Sequence, residues 1–575
     1  MRRALLATAL CAAFATAAPA DALGDIVDAA ALRDLARLDA HSAANAGLRL
    51  PLSGAPETST ASIGELAAIA GTAGPIRVLV GARTHAAVPA LAAALERLGA
   101  RPEVFPLSGV LAATAPSGRA LARALGTDPR VAYVERDRDL RVAAEPFDTV
   151  DVTPGGSGIK YTWAYDEVGA AAALAAAGGG SRRRVAVVDT GADVNHPELA
   201  GRIARTYDVY SGGPGVTDRD GHGTFVSGLI AAVDGNGIGG KGVAGDTRLL
   251  IVRASRNGAL SVSTLARSIE AAVNRGADVM NLSLAGPVFS VSQLRALRTA
   301  FYNNVLPVAA SGNNGQTGNP LEFPAAAIGG RRGKRGIGLS VTATVPGGGP
   351  TAFSTHNDYV SIAAPGAGAS GCELGVFSIL PAAGAAEWDD PLGCSRLFSQ
   401  GSIRFAYGEG TSFAAPLVSG LAALAWQVQP RLASEQVADV LTRTARQTVG
   451  TRKWNERTGA GVVDGAAATA LAGVYDLTAP PKRGSARRRD GSHVAVKFAR
   501  ARDRTRAGRE LAGHVRYSIL VSRDAGRSYD VMLRSGRPLR HLVRLKGTRT
   551  NAIAVAVCDR NANCAIKRLG RFKPF

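Results

Sequence analysis

The chain of 575 residues has little that would hold a metal ion or cross a membrane. Its five cysteines form no close Cys-x-x-Cys pair and have no His cluster beside them, which argues against zinc. Aromatic residues make up only 5% of the chain and are not interleaved with basic ones, so no nucleic-acid module is expected. Past the first twenty residues no run of about 18 apolar residues occurs, and no transmembrane segment is expected. Acidic residues are scarce in one place. Residues 481–575 carry 25 Lys and Arg against 6 Asp and Glu, so this tail holds 19 of the net +21 charges. A basic tail can adhere to anionic surfaces or simply keep an exported protein soluble, and both readings stay open.

What is present is apolar (46%) and rich in glycine, in a chain long enough for several domains. Met1-Arg2-Arg3, an apolar run from Ala4 to Ala18, and Ala18-Pro19-Ala20 before Asp21 have the layout of a secretory signal peptide over residues 1–20. The protein is therefore expected outside the cytoplasm, extracellular or periplasmic. Cys11 falls in that segment, leaving Cys372, Cys394, Cys558 and Cys564, for which the local pairs 372–394 and 558–564 are simplest in an oxidising compartment.

Residues 21–75 are Ala-rich and carry no assignable role. From Ile76 a strand, a helix, two strands, a helix and a strand follow, the order of a small open-faced α+β domain with its core at 76–140. A Pro, Gly and Asp-rich linker occupies about 144–160. Beyond it, continuous apolar runs such as Arg184–Val188, Leu249–Val252, Val279–Leu284 and Leu306–Ala310 alternate with helical patterns. Strands buried on both faces look like this, so the fold class is α/β with a doubly wound, mostly parallel sheet. A second linker follows Tyr475, and the last hundred residues alternate as short strands of a small β-sandwich. The expected divisions are 1–20, 21–143, 144–475 and 476–575.

Three motifs carry chemistry. Val187-Val188-Asp189-Thr190-Gly191 ends a buried strand in a carboxylate, where a turn-forming Asp is the plainer reading. Gly221-His222-Gly223-Thr224 opens an apolar helix, and His222 alone among the eight histidines is flanked by glycine on both sides. Gly410-Thr411-Ser412-Phe413-Ala414-Ala415-Pro416 leads into another apolar helix, with Ser412 in the first turn, where free N–H groups suit a developing oxyanion. Pro416 is expected in that same first turn. An N-cap role for the serine is the competing reading.

The order Asp, His, Ser at these separations resembles the subtilisin family over about Trp163–Leu471. Subtilisin itself has its triad in that chain order, and His196-Pro197-Glu198-Leu199 and Ala363-Ala364-Pro365-Gly366 fit the family as well. The resemblance implies a serine endopeptidase acting on protein or peptide substrates, with Asp189, His222 and Ser412 as its triad and no cofactor for catalysis. It also implies that residues 21–143 are a pro-region inhibiting the enzyme until self-processing near Leu140–Ala144. Ser311-Gly312-Asn313-Asn314-Gly315 matches the oxyanion segment, giving Asn313 as a donor ahead of Asn314. Ser283-Leu284-Ala285-Gly286 matches the strand that pairs with substrate, with Ala285 where glycine is frequent. Val233–Gly239 resembles a structural calcium loop with Asn236 as a ligand, a plain turn being the alternative. Phe323-Pro324-Ala325 resembles a segment whose preceding residue floors the specificity pocket, so Glu322 is expected to select Arg or Lys before the scissile bond, unless it points to solvent. The stretch Ala367–Glu409 exceeds the family core and reads as a surface insert.

Two rivals remain in view. An inactive protease-like scaffold would use the basic tail to hold an anionic surface. A lipase of the α/β-hydrolase type would need Gly-x-Ser-x-Gly and the order Ser, Asp, His, whereas Ser412 comes last here.

Overall fold

A computed structural model describes residues 65–142, 162–368, 375–384, 388, 398–400, 403–448, 454–475, 477, 484–497, 516–522, 530–535, 540–545, 550–558 and 564–574, apart from positions 67, 73, 235 and 237–239. Residues 1–20, read above as a signal peptide, and Cys372 and Cys394 lie outside the described residues.

The first unit pairs β1 (Ile76–Ala82), β2 (Glu103–Phe105), β3 (Val110–Ala115) and β4 (Val131–Arg136) antiparallel in the order β2-β3-β1-β4. Helices α1 (Val88–Arg97) and α2 (Gly118–Leu125) share a core with one face of this sheet through Val78, Val80, Leu91, Leu95, Leu121 and Leu125. Leu79, Phe105 and Val110 join the core of the next domain instead. The order of elements is the expected one.

Seven parallel strands form the centre of the second unit, in the order β14 (Ile362–Pro365), β13 (Leu339–Thr344), β12 (Leu306–Ala310), β10 (Val279–Leu282), β6 (Arg184–Asp189), β8 (Arg248–Arg253) and β7 (Ile203–Asp208). Along β6, Val185 and Val187 enter one apolar cluster while Ala186 and Val188 enter another. Successive side chains of a strand point to opposite faces, so a sheet covered on both sides needs an unbroken apolar run. Helices α3 (His222–Ala231) and α6 (Thr411–Val428) supply the first cluster, and α4 (Val262–Asn274) and α5 (Val291–Tyr302) the second. Among the described residues α6 is the one helix long and apolar enough to span a membrane, and it is 89% buried as the core helix. Strand β7 escapes the apolar-run signal because it is only partly covered, with Ala204 and Arg205 exposed.

Beyond β14 the stretch read as a surface insert contains β15 (Val376–Leu380), β16 (Phe398–Gln400) and β17 (Ile403–Gly408), an antiparallel sheet in the order β15-β17-β16. It is no mere surface excursion, since Val376, Ile379, Leu380, Phe405 and Ala406 belong to the main core cluster. The C-terminal unit packs β18 (Ser485–Arg488), β19 (His493–Lys497) and β22 (Arg540–Arg544) against β21 (Asp530–Ser535), β20 (Arg516–Ser522), β23 (Asn551–Cys558) and β24 (Cys564–Phe572). Val494, Val496, Val543, Ile519, Ile553 and Val555 fill the space between these two antiparallel sheets, a small sandwich.

Candidate active site

The sheet order changes direction between β6 and β10, the switch point at which α/β folds open a crevice beyond their strand ends. Asp189 ends β6, Ser283 follows β10 and Asn313 follows β12. Three sequence-predicted residues thus reach one crevice because three adjacent strands end there.

Asp189 Oδ1 accepts the Thr190 N–H at 2.8 Å and lies 2.8 Å from His222 Nδ1, both side chains being 1% exposed. Two glycines make this approach feasible. A Cβ on Gly223 would overlap the Gly191 carbonyl oxygen, and Gly191 itself holds φ +120°. Thr190 Oγ1 donates to Asp218 Oδ1 and accepts from Gly223 N, while Asp218 Oδ2 accepts from Thr224 N and Oγ1. The start of α3 is therefore clamped to the end of β6. Burial pushes the His222 imidazolium pKa down, but the charges of Asp189, Asp220 and Asp218 push it up further, and the net direction is up. Nε2 of His222 is buried and has no hydrogen-bond partner among the described residues, so it is the nitrogen left for a reacting group.

Gly410 (φ +147°) turns the chain into α6, which begins at Thr411 and places Ser412 in its first turn. The Phe413 ring lies 5.5 Å from that of His222. Ser412 Oγ donates to the Ser283 carbonyl at 3.2 Å. Pro416 lies inside the helix rather than in its first turn, which corrects the expectation above. Its missing N–H would leave the carbonyl four residues earlier, that of Ser412, without a helical donor. Ser283 Oγ supplies the bond instead, at 2.6 Å, and is itself held by Asn281 Nδ2 at 2.9 Å. The serine on the β10 exit thus completes the helix that carries Ser412.

Asn313 Oδ1 accepts from Thr411 N at 3.0 Å and Thr411 Oγ1 at 2.9 Å, which fixes the amide with its oxygen toward α6 and its NH2 away. Asn314 is committed elsewhere, its Nδ2 donating to Glu322 Oε1 at 2.9 Å. Glu322 does not point to solvent. It is 2% exposed, accepts from Thr355 Oγ1 as well, and lies so close under Gly312 that a Cβ there would overlap it. Burial raises its carboxyl pKa against the bonds from Thr355 and Asn314. Gly286 and Phe323 exchange both backbone hydrogen bonds, which ties the 283–286 strand to the residue after Glu322.

The substrate-strand residues are occupied. Strand β11 (Leu284–Ala285) and β9 (Ala259–Ser261) flank β5 (Asp139–Val142), the end of the first unit, with Val142 opposite Leu284, Arg141 opposite Ala285 and Leu140 opposite Leu260. The rest of that unit docks through carboxylates on helix starts. Glu135 accepts from Ser290 Oγ, Val291 N and Ser292 N at the start of α5, and Asp137 accepts from Ser263 N at the start of α4. Glu270 of α4 accepts in return from Leu107 N and Ser108 N.

Asn236 is exposed, apart from the catalytic crevice, with Nδ2 3.3 Å from Glu198 Oε1. Glu198 is fully buried, its Oε2 has no hydrogen-bond partner among the described residues, and burial lifts its pKa to about 7. Thr411, Ser283 as the partner of α6, and Glu198 as a buried carboxylate were not singled out in the sequence, although each sits inside a recognised motif.

A parallel α/β sheet with a buried Asp–His pair at its switch point, beside a serine at a helix start, defines a subtilisin-like serine protease. Known proteins agree with that definition. The subtilase family model matches residues 180–461. The thermophilic serine proteinase of Bacillus sp. (strain AK1) is 30% identical over 337 residues, covering 56% of this chain and 72% of that protein. The alkaline elastase YaB of Bacillus sp. (strain YaB) is 32% identical over 347 residues, covering 60% and 76%. Among solved structures, fervidolysin from Fervidobacterium pennivorans, described as a keratinolytic enzyme related to subtilisin, superposes with TM-score 0.54 at 20% identity over 88% of this chain and 92% of its own. The chain belongs to the subtilase family and is a serine endopeptidase.

Proposed function

We infer that the chain is a secreted endopeptidase made as a self-processed precursor, with Ser412 as nucleophile, His222 as general base and acid, and Asp189 holding the imidazole. The observation that carries this is the buried 2.8 Å contact of His222 Nδ1 with Asp189, which leaves Nε2 for a proton from Ser412. Ser412 attacks a peptide carbonyl, His222 takes the proton and returns it to the leaving amine, and water repeats the sequence on the acyl-enzyme. Subtilases need no catalytic cofactor for this. The developing oxyanion is met by Asn313 Nδ2, aimed by the Thr411 bonds to Oδ1, and by the Ser412 backbone N–H in the first turn of α6.

Residues 21–143 act as the inhibitor in this reading, 144–475 as the catalytic domain and 476–575 as a basic accessory domain. Support for inhibition comes from β5, which fills the place of a substrate strand. β5 ends with Val142 opposite Leu284, the residue after Ser283, whose carbonyl Ser412 Oγ touches, so we put the self-processed bond in the stretch Leu140–Ala144. Secretion follows from the signal-like start, and in an oxidising compartment Cys558 would pair with Cys564, its partner in the β23–β24 register. We assign calcium beside Asn236: Glu198, whose Oε2 has no hydrogen-bond partner among the described residues, and Asn236, with its amide turned to present Oδ1 in place of Nδ2, would hold it, and it would tie the loop to the core. Glu322 is assigned to the base of the specificity pocket, with a basic side chain as its preferred partner.

Labelling with a fluorophosphonate tests the central claim. Wild type is expected to react at Ser412, and the Ser412→Ala precursor to stay unlabelled and uncut near Leu140–Ala144. A purified Ser412→Ala precursor that matures with no other protease present would overturn self-processing, and an unlabelled wild type would favour the inactive scaffold.

A further inference from the structure

The inserted sheet lies across the helix that begins with His222. All ten residues of α3 are buried, and a Cβ at Gly228 would overlap Ser378 Oγ and the Ile379 side chain, so α3 is shaped to receive β15. Ser378 Oγ also donates to the Phe225 carbonyl at 2.8 Å. Further along, Ala382 N donates to Asp193 Oδ2 at 3.0 Å, in the loop that leaves Asp189.

Trp388 makes the most direct link. Its indole Nε1 donates to the Asp220 backbone carbonyl at 3.1 Å, and Asp220 Oδ1 accepts the His222 N–H at 3.2 Å. The indole stacks on Phe225 at 5.0 Å and 22°, and lies 6.1 Å from Phe413, the residue after Ser412. Phe413 in turn is 4.5 Å from Phe225. One buried side chain therefore touches the entry to His222 and the aromatic pair between the two helix starts.

We propose that Trp388 is a positioning residue for proton transfer between Ser412 and His222. Between Asp220 and His222 the chain passes through Gly221 at φ +101°, a position without side-chain restraint of its own. The indole N–H fixes the carbonyl just before that pivot, and the ring fixes the first turn of α3 against Phe413. A displacement of about 1 Å in a reacting group can cost about 100-fold in rate, so an anchor outside the crevice can matter as much as a group inside it. The titratable groups facing His222 are Asp189 from β6 and Asp218 and Asp220 from the preceding loop, and all three raise its pKa. Freeing Asp220 therefore also lowers the pH at which His222 loses its proton.

The inference rests on the serine-peptidase reading, and the test separates the two. Wild type, Trp388→Phe and Trp388→Ala are matured from the full chain and titrated with a fluorophosphonate. kcat, KM and the acid limb of kcat/KM are then measured per labelled site. Trp388→Phe keeps a ring on Phe225 but loses the N–H. It is expected to lower kcat by about 3- to 10-fold with KM within about twofold, and to move the acid limb down by about 0.3–0.5 unit. Trp388→Ala is expected to lower kcat further, by about 10- to 100-fold. If labelled Trp388→Phe keeps the wild-type kcat and acid limb, with only its melting temperature lowered, Trp388 is packing alone and the inference is overturned. That result stands even where Trp388→Ala fails to fold. A wild type that takes no label overturns the underlying reading instead.

Discussion

At the scale of single residues, the specificity assignment makes the sharpest demand. Glu322 is buried and already accepts bonds from Thr355 and Asn314, and burial raises its pKa. A guanidinium gains a bidentate, charge-assisted bond only from the ionised carboxylate, worth about 1.5–3 kcal/mol when well made. At about 1.4 kcal/mol per decade this is roughly 10- to 150-fold in selectivity for Arg over Leu before the cut. Because the pKa is raised, the preference should grow with pH as Glu322 ionises and fade toward acid. Peptides differing only at that position, assayed on wild type and Glu322→Gln across pH, check this. A ranking unchanged by the substitution would remove Glu322 as the selector and leave an apolar pocket. Asn313→Ala should lower kcat by about 100- to 1,000-fold with KM little changed, the range for loss of one oxyanion donor, for which the reference case is the matching Asn of subtilisin. Single-turnover and steady-state rates on one peptide decide that. Neither residue's setting was legible beforehand: the motif located Asn313, but only Thr411, 98 positions away in the chain, shows which way its amide faces.

At the scale of elements, the sequence is clearest where burial is two-sided. Strands β6, β8, β10, β12 and β13 announce themselves because both faces meet apolar clusters, and β7 does not because Ala204 and Arg205 are both exposed. The inserted sheet was unreadable for another reason. Its strands are short and their partner is a distant helix, Ser378 reaching back 153 positions to Phe225, so local periodicity has nothing to register. The same long-range pairing governs the contact between the first unit and α5. Glu135 caps α5 with three hydrogen bonds, and caps of this kind are worth about 0.5–2 kcal/mol. Burial nonetheless raises its pKa on docking, and that of Glu270 likewise. A carboxyl whose pKa rises on association favours the complex below its free value, about 4.3, and that contribution is lost as pH climbs through the bound value. After processing, the cleaved pro-region should therefore leave faster at pH 8 than at pH 5, and Glu135→Gln should flatten the difference. Following the lag before full activity at several pH values measures it. A lag that shortens toward acid would show that the capping hydrogen bonds outweigh desolvation.

At the scale of the whole molecule, the charge is separated from the chemistry. The tail's excess of 19 positive charges is attached to a sandwich whose three-stranded sheet turns Val494, Val496 and Val543 inward. Strand alternation then sends Arg487, Lys497, Arg540 and Arg544 to the opposite face, and all four are exposed. Lys497 stands directly opposite Arg540, and exposed Leu542 lies between Arg540 and Arg544 on the same face. Among the described residues no carboxylate pairs with any of these four cations. Cations set side by side in adjacent strands repel one another, by the rule that like charges directly opposite are destabilising. Such an arrangement costs the isolated domain stability, and an anionic partner would relieve it. The enzyme should accordingly be retained on an anionic matrix at low salt. Retention should fall steeply above about 0.5 M salt, where the screening length drops to about 4 Å. Lys497→Glu with Arg540→Glu should weaken retention several-fold while cleavage of a short peptide stays at the wild-type rate, because the sheet lies outside the crevice between β6 and β10. Gradient elution of wild type and the double variant, each assayed for peptide turnover, measures both. Equal elution of the two would show that the charge serves solubility alone and that the sandwich holds no anionic surface.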